Sequence, residues 1–115
     1  MHRVGVTAEQ AGWRPVARSS EVVRAVLARR VATRDGGFRT VLLWRTRHGE
    51  VVAMDERCPH RRVSMARARL VGDAIECPVH GYQYGPTGRC INVRRAKSAL
   101  VLQVCETEGH VWLAW

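Results

Sequence analysis

Two short segments of this chain place a thiol and an imidazole within a few residues of each other: Cys58-Pro59-His60 and Cys77-Pro78-Val79-His80. Two thiolates can hold one iron of a two-iron, two-sulfide centre while two neutral imidazoles hold the other. Zinc is the competing chemistry, because two cysteines and two histidines are a common structural zinc set. Its usual spacing, however, pairs Cys with Cys and His with His, two to five residues apart. Here each segment mixes one of each, and Cys-x-His is too tight for the usual finger. The pattern therefore favours iron–sulfur chemistry at Cys58, His60, Cys77 and His80, with zinc as the alternative.

Such a centre needs two loops that meet at one point, and the surrounding sequence is built to supply them. Residues 40–45 and 51–55 are β-rich runs joined by Arg47-His48-Gly49-Glu50, and the second run leads directly into the first Cys-His loop. Residues 69–71 and 74–76 flank Gly72-Asp73, a tight-hairpin signal, and lead into the second loop. Pro59 and Pro78 stiffen each loop just after its cysteine. Gly81 lets the backbone turn beside His80. Further strands are predicted at 12–17, with Pro15 marking an edge, at about 25–34, at 82–84, at 99–104 and at 110–115. Asp35-Gly36-Gly37 is another hairpin turn, and Ser19-Ser20-Glu21 a candidate cap or brief turn. Short strands with turns every 8–12 residues predict an antiparallel all-β fold. Trp13, Trp44, Trp112 and Trp115 all fall on predicted strands, and at least two are expected in the core.

At 115 residues the chain is read as one domain, 1–115, with 1–11 as a loose N-terminal arm. No apolar run approaches the roughly 20 residues of a membrane span, and the N-terminus lacks the apolar stretch of a secretory signal. A cytoplasmic location is expected, where thiols stay reduced. Cys90 and Cys105 are then expected as buried free cysteines rather than a disulfide. The net charge of +9 comes almost wholly from arginine, Lys97 being the one lysine. The arginines are scattered and few aromatics interleave them, so no nucleic-acid partner is expected. A basic face for an acidic protein partner fits better.

The run Cys58-Pro59-His60-Arg61, followed by Gly72-Asp73-Ala74-Ile75-Glu76-Cys77-Pro78-Val79-His80-Gly81-Tyr82-Gln83-Tyr84, closely resembles the Rieske domain of Rieske non-haem iron oxygenases, and also Rieske-type ferredoxins. The similarity extends over nearly the whole chain, from Trp13-Arg14-Pro15-Val16-Ala17 to Gly88-Arg89-Cys90 and beyond. The resemblance implies a Rieske-type antiparallel β-sandwich with two cluster-binding hairpin loops at one tip. It implies a [2Fe–2S] cluster held by Cys58 and Cys77 on one iron and by His60 and His80, through Nδ1, on the solvent-facing iron. Three departures stand out. Respiratory and photosynthetic Rieske proteins bridge their loops with a disulfide, where this chain has Val63 and Val79. Their loop serine is matched by Tyr82, so fewer hydrogen bonds to sulfur and a potential at the low end of the range of about −150 to +300 mV are expected. Arg62 replaces a glycine common in the family.

By this resemblance the chain is expected to carry single electrons from a reductase to a non-haem iron oxygenase. Alternatively it is the detached Rieske subunit of a hetero-oligomeric oxygenase, with the mononuclear iron on another chain. The remaining histidines, His2, His48 and His110, form no paired arrangement with a carboxylate that would bind such an iron. Arg57, Arg61 and Arg62 flank the first loop and are candidates for partner docking. Elemental analysis is expected to give about two iron atoms and two acid-labile sulfides per chain, as this cluster type requires; zinc without labile sulfide would refute the iron reading.

Overall fold

The structure, a computed structural model, describes residues 12–60 and 62–114. The proposed arm at 1–11, Arg61 and Trp115 lie outside the described residues. Among the described residues nine strands form: β1 Trp13–Arg18, β2 Leu27–Ala32, β3 Phe38–Arg45, β4 Val51–Asp55, β5 Arg69–Val71, β6 Ala74–Glu76, β7 Gln83–Tyr84, β8 Val101–Thr107 and β9 His110–Ala114. The one helical turn among them is a 3₁₀ turn at Ser19–Glu21. Every strand pair is antiparallel. Six strands form one sheet in the order β1-β9-β8-β4-β3-β2, and β5-β6-β7 form a second, smaller sheet. The larger sheet curls toward closure, and the Arg14 guanidinium reaches from β1 to the carbonyl of Ala32 at the end of β2, 2.7 Å away.

The all-β expectation holds, with shifts at the element ends. The strand expected at 25–34 shortens to β2, because the chain bends at Arg24-Ala25 and because Thr33 already belongs to the next turn, its N–H donating to the carbonyl of Gly37, 2.8 Å away. The strand expected at 99–104 runs on through Thr107, carried by its pairing with β9 from Gln103↔Ala114 to Thr107↔His110.

Two cores explain the apolar run in β3. Val41 and Leu43 point into a cluster with Val22, Val31, Ala53, Val111 and Leu113 inside the larger sheet. Leu42 and Trp44, on the opposite face, join Val52, Met54, Met65, Ile75, Cys58, Cys77 and Tyr84 between the two sheets. A strand buried on both faces loses the alternation of a half-exposed strand and reads as continuous apolar sequence. Trp44 is fully buried, and its indole N–H donates to the carbonyl of Asp73, 3.0 Å away, tying the small sheet's turn to the large one. Trp13 and Trp112 are half-exposed instead. Of the described tryptophans only Trp44 is a buried core residue, because the register of β1 and β9 turns the other two to the outer face.

The end of the fold opposite the Cys-His loops is closed by Arg45. Its guanidinium donates to the carbonyls of Val22 (2.7 Å), Gly49 (2.8 Å) and Ser19 (3.0 Å) and to both carboxylate oxygens of Glu106 (2.9 and 2.5 Å). The planar fork of arginine suits such a node, and an ammonium would not. The Arg45 hydrogen bonds, helped by the Ser19 hydroxyl, hold the Glu106 carboxyl down to a pKa of about 2. Its folded value lies below the unfolded one, so its contribution is present above about pH 4.5 and is lost as pH falls toward about 2. Glu106→Gln is expected to destabilise the protein at neutral pH by on the order of 1 kcal/mol, allowing for solvent screening. Urea titrations followed by tryptophan fluorescence should show the gap from wild type closing across that acid window.

Candidate metal centre

The two Cys-His loops are built on the same backbone plan. The first closes with Cys58 N–H donating to the carbonyl of Val63 (2.8 Å) and Arg62 N–H to that of Cys58 (2.5 Å). The second closes with Cys77 N–H donating to the carbonyl of Tyr82 (2.7 Å) and Gly81 N–H to that of Cys77 (3.0 Å). Arg62 and Gly81 therefore occupy equivalent places. Both are left-handed, with φ of 55° and 73°. Glycine adopts this conformation freely, whereas for arginine it costs roughly 1 kcal/mol or more. The chain thus keeps the usual loop shape despite the replaced glycine, at the expense of strain at Arg62.

This plan sends the thiols inward and the imidazoles outward. Cys58 and Cys77 are buried in the inter-sheet core, and the remaining cysteines, Cys90 and Cys105, are free as expected, Cys90 buried and Cys105 half-exposed. His60 is half-exposed and His80 exposed. Their ring centroids lie 5.0 Å apart, edge to face. Tyr82 stacks on His60 with centroids 4.0 Å apart, so it supports the imidazole rather than standing in for a sulfur-bonding serine. Among the described residues no three His, Cys, Asp or Glu side chains gather as a single ion would need. The four donors stand as a thiol pair and an imidazole pair, and a two-iron centre asks only two protein ligands of each iron.

Burial raises the Cys77 thiol above its ordinary value; the backbone N–H groups of Val79 and His80 pull the other way, and the Cys58 thiol pushes it up further. A thiol disfavoured as a free anion, with N–H donors already aimed at it, is suited to a metal that takes the proton's place. The donor set and its burial fit the [2Fe–2S] group.

Tyr84 is a site residue that the sequence reading assigned only to a strand. Its hydroxyl lies 3.2 Å from Cys58 Sγ, fully buried. Burial first, then the neighbouring cysteines, raise its pKa, so the phenol keeps its proton and can donate to a thiolate. Before the first loop, Asp55 accepts from the N–H of Arg57 (2.9 Å) and pairs with Arg39 (2.8 Å) and the Arg57 guanidinium (3.7 Å). Arg57 and Arg62 are both exposed beside the loop.

Residues 12–106 match the model of the Rieske [2Fe–2S] domain. The chain belongs to the Rieske [2Fe–2S] family. Its cofactor is accordingly a Rieske-type [2Fe–2S] cluster. The domain is 37% identical over 83 residues to the oxygenase component of chloroacetanilide N-alkylformylase from Rhizorhabdus wittichii, covering 72% of this chain and 22% of that protein. It is 40% identical over 53 residues to the iron–sulfur subunit of the toluene-4-sulfonate monooxygenase system of Comamonas testosteroni, covering 46% of this chain and 15% of that one. This Rieske domain thus spans about a fifth of the curated relatives' length. Among solved structures it resembles apo dicamba monooxygenase in fold, with a TM-score of 0.76 and 23% identity over 88% of this chain and 32% of that one. It also resembles a chain in the complex of reduced oxygenase and oxidised ferredoxin of carbazole 1,9a-dioxygenase, with a TM-score of 0.74 and 26% identity over 90% of this chain and 93% of that one.

Hydrogen bonds to cluster sulfurs favour the reduced state. Tyr84→Phe is therefore expected to lower the reduction potential by tens of millivolts, about 60 mV for each ~1.4 kcal/mol of lost preference in a one-electron couple. Protein-film voltammetry of wild type and variant measures it; an unchanged potential would show that the hydroxyl does not act on the sulfur.

Proposed function

We propose that Cys58 and Cys77 hold one iron of the cluster and His60 and His80 the other, and that the protein carries single electrons from a reductase to a non-haem iron oxygenase. The observation that carries this reading is the meeting of the two loops: buried thiols beneath a pair of imidazoles 5.0 Å apart, one of them exposed. When bound, the cluster supplies a reversible one-electron couple. The chain's own residues keep its inner side dry, through Leu42, Met54, Met65, Ile75 and Tyr84. They leave the His80 edge open to a partner, and Tyr82 fixes the plane of His60.

The free-standing carrier is supported by the carbazole 1,9a-dioxygenase complex, in which the likeness takes in 93% of the matched chain. A second reading is the detached Rieske subunit of an oxygenase whose mononuclear iron is on another chain. It draws on the relatives named as oxygenase components, of which this domain spans 22% or less. Either reading places the protein in the cytoplasm as one domain, with no nucleic-acid or membrane partner. Arg57 and Arg62 form a basic collar for an acidic partner surface; Arg61, the third docking candidate, lies outside the described residues.

Two measurements test this. Cys58→Ser and His80→Ala are each expected to abolish the visible spectrum and labile sulfide of the purified protein, while a surface change such as Arg47→Ala leaves both intact. Electron transfer to a reductase-coupled partner should slow as salt rises, because the Debye length falls from about 10 Å at 0.1 M to about 3 Å at 1 M. A rate indifferent to salt would remove the collar, and stable co-purification with a catalytic chain would replace the carrier with the subunit.

A further inference from the structure

One stretch of the chain carries positive charge alone. Between Glu76 and Glu106 the chain has no acidic residue, yet Arg89, Arg94, Arg95 and Lys97 fall there. All four are exposed. Among the described residues none of their side chains has a hydrogen-bonding or ion-pair partner. Five acids elsewhere pair with other arginines: Glu21 with Arg29, Asp55 with Arg39, Asp73 with Arg24, Glu76 with Arg69 and Glu106 with Arg45. The four cations of this stretch have no acid within it, so its positive charge is uncompensated along the sequence.

The stretch is also an ordered loop, held against the site. Its neck is closed by Ala99 N–H donating to the carbonyl of Gly88, 2.8 Å away. Gly88 is required there: its φ is 88°, and a Cβ would stand 2.4 Å from the oxygen of Ala99. Val93 and Ala96 pack on the core cluster that contains Cys58 and Cys77. Asn92 binds the second Cys-His loop itself, its amide donating to the carbonyl of Gly81 (2.8 Å) and its oxygen accepting from Gln83 N–H (2.9 Å). A compact surface loop with closed ends, packed by its own side chains, is an Ω-loop, a form often functional. Its inner side is apolar and its outer side cationic, except for Ile91, which is 60% exposed. In the adjoining loop Val79, next to His80, is 53% exposed. Exposed apolar side chains with a charged surround are the composition of a protein interface, apolar at the centre and polar at the rim.

We propose that the 88–99 loop is the docking element for an acidic electron-transfer protein, which it seats beside His80. The inference rests on the electron-carrier reading and names the face and the charge of the partner. Nucleic acid fits less well: no aromatic lies between Tyr84 and Trp112, so the loop offers no platform on which bases could stack.

The test uses the cluster-loaded chain and a reduced plant-type [2Fe–2S] ferredoxin as an acidic one-electron donor, whose potential lies below the Rieske range. Stopped-flow bleaching is followed for wild type, for Arg94→Glu with Arg95→Glu, and for Arg18→Glu with Arg47→Glu, an equal charge change at the Arg45 end of the fold. The loop variant is expected to lose about tenfold or more in second-order rate at low salt, and the distal variant far less. The loss should vanish at about 1 M salt, where charges are screened. Dithionite must reduce all three alike, which separates docking from damage to the cluster. Equal losses in the two variants, or no transfer from ferredoxin to a wild-type cluster that dithionite reduces, overturn the loop as a docking element while leaving the carrier reading standing. A wild-type chain with no reducible cluster overturns both. Binding of random duplex DNA at about 0.15 M salt that the loop variant alone loses overturns the proposal in favour of nucleic acid.

Discussion

The site depends on one repeated backbone closure. In each loop the cysteine N–H crosses to the carbonyl five residues on, and a left-handed residue returns its N–H to the cysteine carbonyl. That pair of bonds makes a tight ring of chain with the Cys side chain directed down into the core and the His side chain at the rim. Two sequences with different spacing, Cys-x-His and Cys-x-x-His, satisfy the same closure. The two rings are equally long; in the second the histidine stands one place later, and Val79, at the place of His60, is exposed. The cost falls on Arg62, which takes a conformation suited to glycine and in return sets a guanidinium beside the rim.

The rest of the fold can be understood as support for that tip. β3 and β4 are buried on both faces, so they form a stiff central pair that delivers the first loop. Trp44 and Asp73 couple the small sheet, and therefore the second loop, to the same pair. Arg45 and Glu106 close the far end with an ion pair backed by three backbone carbonyls. Five acidic residues are drawn into pairs that brace the scaffold, while the stretch from 77 to 105, which has no acid, keeps its positive charge. Structural pairing and surface potential are thus two results of one placement of acids.

Much of this was legible in the sequence because it is local. The loop ligands are two and three residues apart, the hairpins carry Gly-Asp or Asp-Gly at their turns, and the β-rich runs are short. What was not legible depends on register. Tyr84 reaches Cys58 across 26 positions of sequence, and only the pairing of β6 with β7, Ile75↔Tyr84, turns its ring inward toward the first loop. Trp112 lies opposite Pro15 and Cys105 on the outer face. Its strand alternates, but sequence alone does not say which phase of the alternation is buried. The left-handed backbone of Arg62 was likewise hidden, because arginine gives no local signal for it, and residues 91–98 fall in no predicted element.

The absence of a second cysteine in each loop has a mechanical side. Val63 and Val79 stand at those places, and the four described cysteines are all free. No covalent staple joins the two hairpin tips. On the proposed ligand set, the cluster itself is a coordinate link from one tip to the other, so it acts as a clasp as well as a redox centre. Ligation then closes the loop of chain between Cys58 and Cys77 and transfers part of the metal's binding free energy into local folding. Loss of iron would undo the tip first, and with it the seating of His60 against Tyr82, while the strands anchored at Arg45 stayed in register. In such a domain the holding of the cofactor and the holding of the surface a partner recognises are one event.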